Sequence, residues 1–305
     1  MSVNARTISD DELFFGHKAC AGCGGALAVR AALKVLGSHA ISALPAGCMS
    51  AVGFNFPQLS FANNAIITPF AATASVLSGI EAGLRAQGIK PDDCTVVGFA
   101  GDGGTADIGI QALSGAIDRN DDVLYICYDN EAYMNTGIQK SSLTPFGAST
   151  TTTPVGAQTK GCLTAKKSMF EIVAAHDIPY AATASIGYLQ DFINKVEHAK
   201  NVRGTRFLHV MAPCPTGWGH ATDVTVDIAK EAVDCGFWYL AEFEGSQECG
   251  VPGGVFKLNR NPREFSDAEA YLRAQRRFKH MGDDDMARAV AGRDAKWEFI
   301  RAHWA

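Results

Sequence analysis

Two sets of residues in this chain have the types and spacing to do chemistry. The first is Asp102, within Gly101-Asp102-Gly103-Gly104, together with Asn130, about one strand–helix–strand unit later. Glycines at a strand-to-helix turn let the backbone approach a ligand closely, and the free N–H groups of the following helix favour phosphate. An aspartate in that turn would repel a bare phosphate, so Asp102 implies a bridging cation. Mg²⁺ is the natural one, because it takes oxygen ligands and is held by one or two protein groups plus phosphate; Asn130 can supply an amide oxygen. The second set is Cys20-x-x-Cys23, with Cys48 in PAGCMS and Cys214 in APCPTGW. A Cys-x-x-Cys is a redox dithiol, half of a metal site, or chance. No strand-like run precedes it, as a thioredoxin-like motif would need. Four thiolates on loops bounded by Pro or Gly can hold Zn²⁺ or a [4Fe–4S] cluster. Structural zinc favours two close pairs, so one pair plus two remote cysteines leans towards iron–sulfur and leaves zinc open.

The surrounding pattern predicts the elements that must position these groups. Thr95–Ala100 and Val123–Tyr128 read as buried strands around a helix at Ala106–Arg119, with Ile108, Leu113 and Ile117 as its apolar face. Further strands are expected at Ala40–Leu44, Asn64–Pro69, Tyr180–Ala184, Phe207–Met211 and Phe237–Phe243. Helices are expected at Ala26–Leu36, Phe70–Ala86, Ser168–His176, Leu189–Lys200, Asp223–Cys235, Asp267–Met281 and Asp284–Trp297. The alternation implies an α/β fold, a mainly parallel twisted sheet covered by helices on both faces. Cys48, Asp102, Asn130 and Cys214 all fall just after strands, so both sets converge on the edge where such sheets bind ligands.

With 305 residues, 47% hydrophobic and 19% charged, the chain has ample material for a large core. Its net charge of −5 argues against nucleic acid as the main partner. No apolar run approaches the roughly 20 residues that span a bilayer, and MSVNARTISDDELFFGHK lacks a signal-peptide core, so a cytoplasmic location without membrane contact is expected. Nine cysteines without an export signal do not suggest a disulfide framework; Cys94, Cys127, Cys162, Cys235 and Cys249 read as packing residues.

GDG followed by DN some two dozen residues on resembles the diphosphate-binding motif of thiamine diphosphate enzymes. YMNTGIQ and TPFGASTTTTP resemble the thiamine-binding β subunit of 2-oxoacid:ferredoxin oxidoreductases, the pyruvate type in particular. The resemblance spans most of residues 12–260. It implies Mg²⁺ on Asp102, Asn130 and the Ala132 carbonyl, and a [4Fe–4S] cluster on Cys20, Cys23, Cys48 and Cys214. It sets thiamine diphosphate among Gly47, Cys48, Gly101, Asp102, Gly103, Gly104, Asn130, Asn135 and Thr136. It also implies oxidative decarboxylation of a 2-oxoacid, with coenzyme A taking the acyl group and electrons passing through the cluster to ferredoxin or another acceptor. γ and δ (ferredoxin-like) subunits would be partners. An α subunit would supply the glutamate that thiamine enzymes place on the aminopyrimidine, since no second cofactor-binding domain is visible here.

Several features remain more open. Asn135-Thr136-Gly137 opens a 35-residue stretch without periodicity, Glu131–Ala165, that suits either a subunit contact or an active-site lid. Asn135 and Thr136 are the candidate catalytic residues, with an amide and a hydroxyl to direct at phosphate or the reacting carbon. Thr68 and Thr73 read as packing groups beside the ligand, and His17 and His220 as hydrogen-bonding neighbours of the metal segments. Ser9 with Glu12 suggests a short helix at Asp10–Phe15 whose Leu13-Phe14-Phe15 would pack on a partner. Residues 1–215 would form the cofactor-binding domain and 216–305 an extension for subunit contact. The alternatives are an oxalate, branched-chain or aryl-glyoxylate enzyme on the same scaffold, a thiamine decarboxylase without redox function, and a zinc-stapled nucleotide-binding protein.

Overall fold

In this computed structural model, residues 4, 5, 8, 12–246 and 251–304 are described; Ser9, Asp10 and Cys249 lie outside them. The strands are β1 (Ile41–Pro45), a small hairpin β2 (Phe54–Asn55) and β3 (Gln58–Leu59), β4 (Asn64–Thr68), β5 (Val96–Gly101), β6 (Leu124–Asp129), β7 (Tyr180–Ser185), β8 (Arg206–Met211), β9 (Ala241–Glu244) and β10 (Val255–Leu258). The helices are α1 (Gly24–Leu36), α2 (Cys48–Gly53), α3 (Thr73–Ala86), α4 (Asp102–Ala106), α5 (Ile110–Asp118), α6 (Met169–Ala174), α7 (Leu189–Asn201), α8 (Thr225–Asp234), α9 (Ala268–Arg273) and α10 (Asp283–His303).

Eight strands form one sheet in the order β10-β9-β7-β8-β6-β5-β1-β4. The six from β4 to β7 run parallel, and β9 and β10 add antiparallel at one edge. The central strands are buried along their whole length, which explains their unbroken apolar runs. Apolar clusters cover both faces: α1 and α7 pack on one, and α3, α5, α6 and the end of α10 on the other. The chain leaves β1 towards β4, then returns past β1 to β5, so the winding reverses between β1 and β5. Their carboxyl ends carry Gly47-Cys48 and Gly101-Asp102, the place where open α/β sheets bind ligands.

The expected strands match apart from their ends and the last one, where Phe237–Phe243 shortens to Ala241–Glu244. Three other expectations are corrected. The helix over Ala106–Arg119 is two helices, because the chain turns at Asp107-Ile108-Gly109. There the Asp107 carboxylate accepts from Tyr133 Oη at 3.0 Å and Ser142 N at 3.0 Å, and Ile108 points outward. The helix over Asp267–Met281 stops at Arg273, followed by a 3₁₀ turn, Arg276–Phe278. Residues 12–15 are not helical: Phe14 bridges Phe61, and Leu13 and Phe14 sit in this chain's own core. Residues 216–304 contribute β9 and β10 to the sheet and Trp297, Ile300 and Trp304 to the core. The eight described cysteines are free, and no described helix is long and apolar enough to cross a membrane.

The turn at Gly109 tests how tightly the Gly101–Gly104 loop is set. A Cβ there would lie 2.1 Å from the Gly104 carbonyl oxygen, whereas one at Gly79 in α3 meets nothing within 4 Å. In thermal unfolding of the full chain, Gly109→Ala is expected to destabilise by about 1–3 kcal/mol. Gly79→Ala is expected to stabilise by up to about 1 kcal/mol.

Candidate functional site

β5 ends at Gly101, and Asp102 starts the short helix α4 with its side chain 1% exposed. The glycines around it are required by close neighbours. A Cβ on Gly103 would lie 2.4 Å from the Tyr133 ring, and one on Gly104 would lie 2.9 Å from Phe70. Asp102 accepts a hydrogen bond from Ser141 Oγ. Burial, then the neighbouring Asp129 carboxylate, push its pKa well above the ordinary carboxylate range. A positive charge at this point would relieve that penalty.

The next strand brings up the complementary oxygens. Asn130 Oδ1 lies 2.9 Å from the Ala132 carbonyl oxygen and 3.0 Å from Asp102 Oδ1. In this orientation the Asn130 oxygen therefore faces two other acceptors. An octahedral Mg²⁺ at about 2.0–2.1 Å from each ligand sets neighbouring oxygens about 2.9 Å apart, so this donor set and spacing fit the ion. With no cation between them, the Asn130 amide gains by turning over to donate at the same distances; a cation selects the oxygen-inward orientation. Glu131, between Asn130 and Ala132, has φ +65°. That left-handed turn is unusual for a side chain of this size and lets the Asn130 amide and the Ala132 carbonyl face one point.

Glu131 is held in that conformation from several sides. Its N–H donates to Asp129 Oδ1 at 2.9 Å and its carbonyl accepts from Thr144 Oγ1 at 2.7 Å. Its carboxylate pairs with Lys166 at 2.5 Å and with Arg277 at 2.5 Å. Lys166 also reaches Asp129 at 2.7 Å, and His209 Nε2 lies 2.8 Å from the same Asp129 oxygen. Burial works against both charges of the Asp129–Lys166 pair, yet each partner holds the other ionised: the Asp129 pKa is lowered and the Lys166 pKa raised.

The four predicted cysteines come from three segments around the end of β6. Cys23 caps α1, its Sγ accepting from Ala26 N at 3.5 Å. Cys214 caps the turn Pro215–Gly219, its Sγ accepting from Gly217 N at 3.4 Å, and Thr216 Oγ1 donates to Cys20 Sγ at 3.8 Å. Gly24 N donates to the Pro213 carbonyl at 3.2 Å, locking the first and last segments together. Cys48 opens α2 beside them. Burial, then the nearby Cys214 and Cys23 thiols and Asp102, push its pKa up to about 12, and burial raises Cys23 and Cys214 as well. Among the described residues no three His, Cys, Asp or Glu side chains close tightly enough around a single metal ion. The chemistry of the donor set, four neighbouring thiols with N–H groups aimed at two of them, fits a wider multi-iron cage.

Gly47, Cys48, Gly101, Asp102, Gly103, Gly104, Asn130, Ala132, Asn135 and Thr136 line one cleft, which encloses only about 30 Å³ on this chain. Asn135 and Thr136 stand exposed on its lip, with Thr136 Oγ1 donating to Gln139 Oε1 at 2.5 Å. Thr68 and Thr73 bond each other at 2.9 Å in the interior. His17 Nδ1 accepts from Ala19 N at 3.3 Å, and His220 Nδ1 lies 2.8 Å from the Ala221 carbonyl. Nothing local in the chain points to Trp218. Its Nε1 donates to the Asn130 carbonyl at 2.8 Å and its N–H to the Cys214 carbonyl at 2.8 Å, with the Arg277 guanidinium 3.7 Å above its ring. One residue thus ties the oxygen site to the cysteine segment, by its indole on one side and its backbone on the other. Lys166, His209 and Arg277 escaped notice because each is far from Asp129 and Glu131 in the chain.

Residues 45–210 match the family described as thiamine pyrophosphate enzyme, C-terminal TPP binding domain. The chain is 47% identical over 273 residues to pyruvate synthase subunit PorB of Methanothermobacter thermautotrophicus, covering 90% of this chain and 91% of that protein. It is 46% identical over 301 residues to ketoisovalerate oxidoreductase subunit VorB of Pyrococcus horikoshii, covering 97% and 94%. A chain of the 2-oxoglutarate:ferredoxin oxidoreductase from Magnetococcus marinus shares the fold, with a TM-score of 0.54 at 18% identity over 73% of this chain and 78% of that one. Sheet, cleft and sequence agree: the chain belongs to the thiamine pyrophosphate enzymes, in the branch formed by the PorB and VorB oxidoreductase subunits.

Proposed function

We propose that this chain is the thiamine diphosphate-binding β subunit of a coenzyme A-dependent 2-oxoacid oxidoreductase, with pyruvate as substrate and ferredoxin as electron acceptor. The observation that carries the reading is the triangle of oxygens from Asp102, Asn130 and Ala132 beside the glycine loop of β5. Those three would hold Mg²⁺, and the backbone of Gly101–Gly104 would meet the diphosphate. When bound, the thiazolium ring supplies the electron sink that lets CO₂ leave a 2-oxoacid. The chain's own residues fix where that ring stands. Glu131, Thr144 and Trp218 hold the cation ligands, and Tyr133 and Phe70 close the apolar side of the loop. Asn135 and Thr136, on the lip, would face the reacting end of the substrate. Cys20, Cys23, Cys48 and Cys214 would hold a [4Fe–4S] cluster. Cys48 lines the same cleft as Asp102, which supports a short path for electrons leaving the cofactor.

The small enclosed volume of the cleft supports a half-site. An α subunit would close it and contribute the glutamate for the aminopyrimidine. α3, beside the cleft, has only Thr73, Ala74 and Leu77 buried and leaves a small-residue face outward, a surface suited to a partner helix. The γ and δ subunits would carry electrons onward. The branched-chain reading is favoured by one observation: VorB proteins match this chain as well as PorB proteins do, at 47% and 47% identity.

The assay is the complex purified without oxygen and offered pyruvate or ketoisovalerate with coenzyme A and a viologen dye. Pyruvate is expected to be the better substrate, and a preference for ketoisovalerate would move the chain to the VorB activity. The isolated chain is expected to reduce no dye with either acid. Asp102→Asn is expected to weaken thiamine diphosphate and Mg²⁺ binding by at least about 100-fold in calorimetry while the unfolding midpoint stays unchanged or rises, since it removes an uncompensated buried carboxylate. Iron and sulfide analysis of the chain in its complex is expected to fall in Cys20→Ser, Cys23→Ser, Cys48→Ser and Cys214→Ser but not in Cys94→Ser or Cys162→Ser. Equal loss in all six would reject the assignment.

A further inference from the structure

The described residues enclose a second cavity, apart from the cofactor cleft. It encloses about 370 Å³ between the sheet face at Thr183 and His209 and the inner side of α10. That is within the range of small-molecule sites. Its walls are mostly apolar surface, with Trp238, Tyr271 and Phe278 among them. Its back wall is the Glu131–Lys166–Arg277 set that holds the Asn130–Ala132 loop, so cavity and cofactor cleft lie back to back.

Two observations argue that this space is kept open for a ligand. The first is Gly292. It sits within the 21-residue helix α10 at the rim, where a Cβ would meet nothing within 4 Å. Glycine inside a helix is destabilising relative to alanine, and no steric neighbour demands it here. Ala289, one turn earlier on the same rim, is also small. Ala289 is buried and Gly292 exposed, so a larger residue at Ala289 would take up part of the space, and one at Gly292 would reach over its mouth. The second is Arg288. Its exposed guanidinium lies over the Phe146 ring at 4.9 Å and has no carboxylate partner among the described residues. The other cations of the site are paired: Arg293 with Asp294, Lys296 with Glu171, Lys167 with Asp107.

We propose that this cavity is a second ligand site, separate from the thiamine cleft, that takes a small organic anion with an aromatic or apolar body. The body would lie among Trp238, Tyr271 and Phe278, and the anionic group would meet Arg288 at the rim.

The test is calorimetric titration of the purified complex with 2-naphthoate, an aromatic carboxylate. One saturable site per chain is expected. Gly292→Phe is expected to weaken binding at least about tenfold by filling the rim, while Gly292→Ala changes it by no more than about twofold. Arg288→Gln is expected to weaken it several-fold, and circular dichroism confirms that the variants fold. Saturating thiamine diphosphate, Mg²⁺ and pyruvate are expected to leave the affinity for 2-naphthoate unchanged. No saturable binding, binding indifferent to Gly292→Phe, or displacement by cofactor or pyruvate would each overturn the proposal. Because the titration is run with and without cofactor, a failure of thiamine binding and a failure of this pocket are read separately.

Discussion

The Asn130 amide stands within about 3 Å of two acceptors, the Ala132 carbonyl and a carboxylate that is fully buried, and with its oxygen turned inward none of the three can donate to another. Burying an ionised carboxylate is expensive unless a counter-charge or several donors compensate it. Asp102 accepts from the Ser141 hydroxyl, and among the charges around it the Asp129 carboxylate, of the same sign, acts on it more strongly than the Lys166 ammonium. Everything around the cleft acts to keep this unfavourable arrangement in place. The parallel sheet delivers Asp102 and Asn130 at adjacent strand ends, in a register that pairs Gly101 with Tyr128. The glycines of the loop admit the rings of Tyr133 and Phe70.

The arrangement is kept by a second buried layer behind the first. Asp129, Glu131, Lys166, Arg277 and His209 form a compensated network whose members come from four separate segments. Removing one partner from such a network leaves an unpaired buried charge, which is why it can clamp a backbone turn as strained as Glu131. Trp218 extends the clamp to the cysteines. Its indole N–H donates to the Asn130 carbonyl and its backbone N–H to the Cys214 carbonyl, so one residue links the oxygen site to the thiol segment.

Much of this was legible in the chain. The runs at Thr95–Ala100 and Val123–Tyr128 are apolar without interruption because both faces of the sheet are covered, and strand ends with Gly, Asp, Asn or Cys mark the ligand edge. The GDG and DN pairs carry their chemistry in adjacent residues, so a local reading finds them. What failed to show was non-local. Asp107 ends α4 through bonds to Tyr133 and Ser142, and no pattern within Ala106–Arg119 announces that break. Leu13-Phe14 looked like an exposed arm because its cover, Phe61, lies far along the chain. The apolar periodicity of Asp267–Met281 persists through a 3₁₀ turn, because i and i+3 positions share a face in both kinds of helix.

The central claim is that a cation-anchored diphosphate and a sulfur-held cluster stand next to each other at the end of β6. Its most direct test replaces Mg²⁺ by Mn²⁺ in the complex and records electron paramagnetic resonance after reduction. The account predicts that Mn²⁺ binds only with thiamine diphosphate present, and that its binding speeds the relaxation of the reduced cluster's signal. A cluster signal indifferent to Mn²⁺, or Mn²⁺ bound equally well to Asp102→Asn, would contradict it.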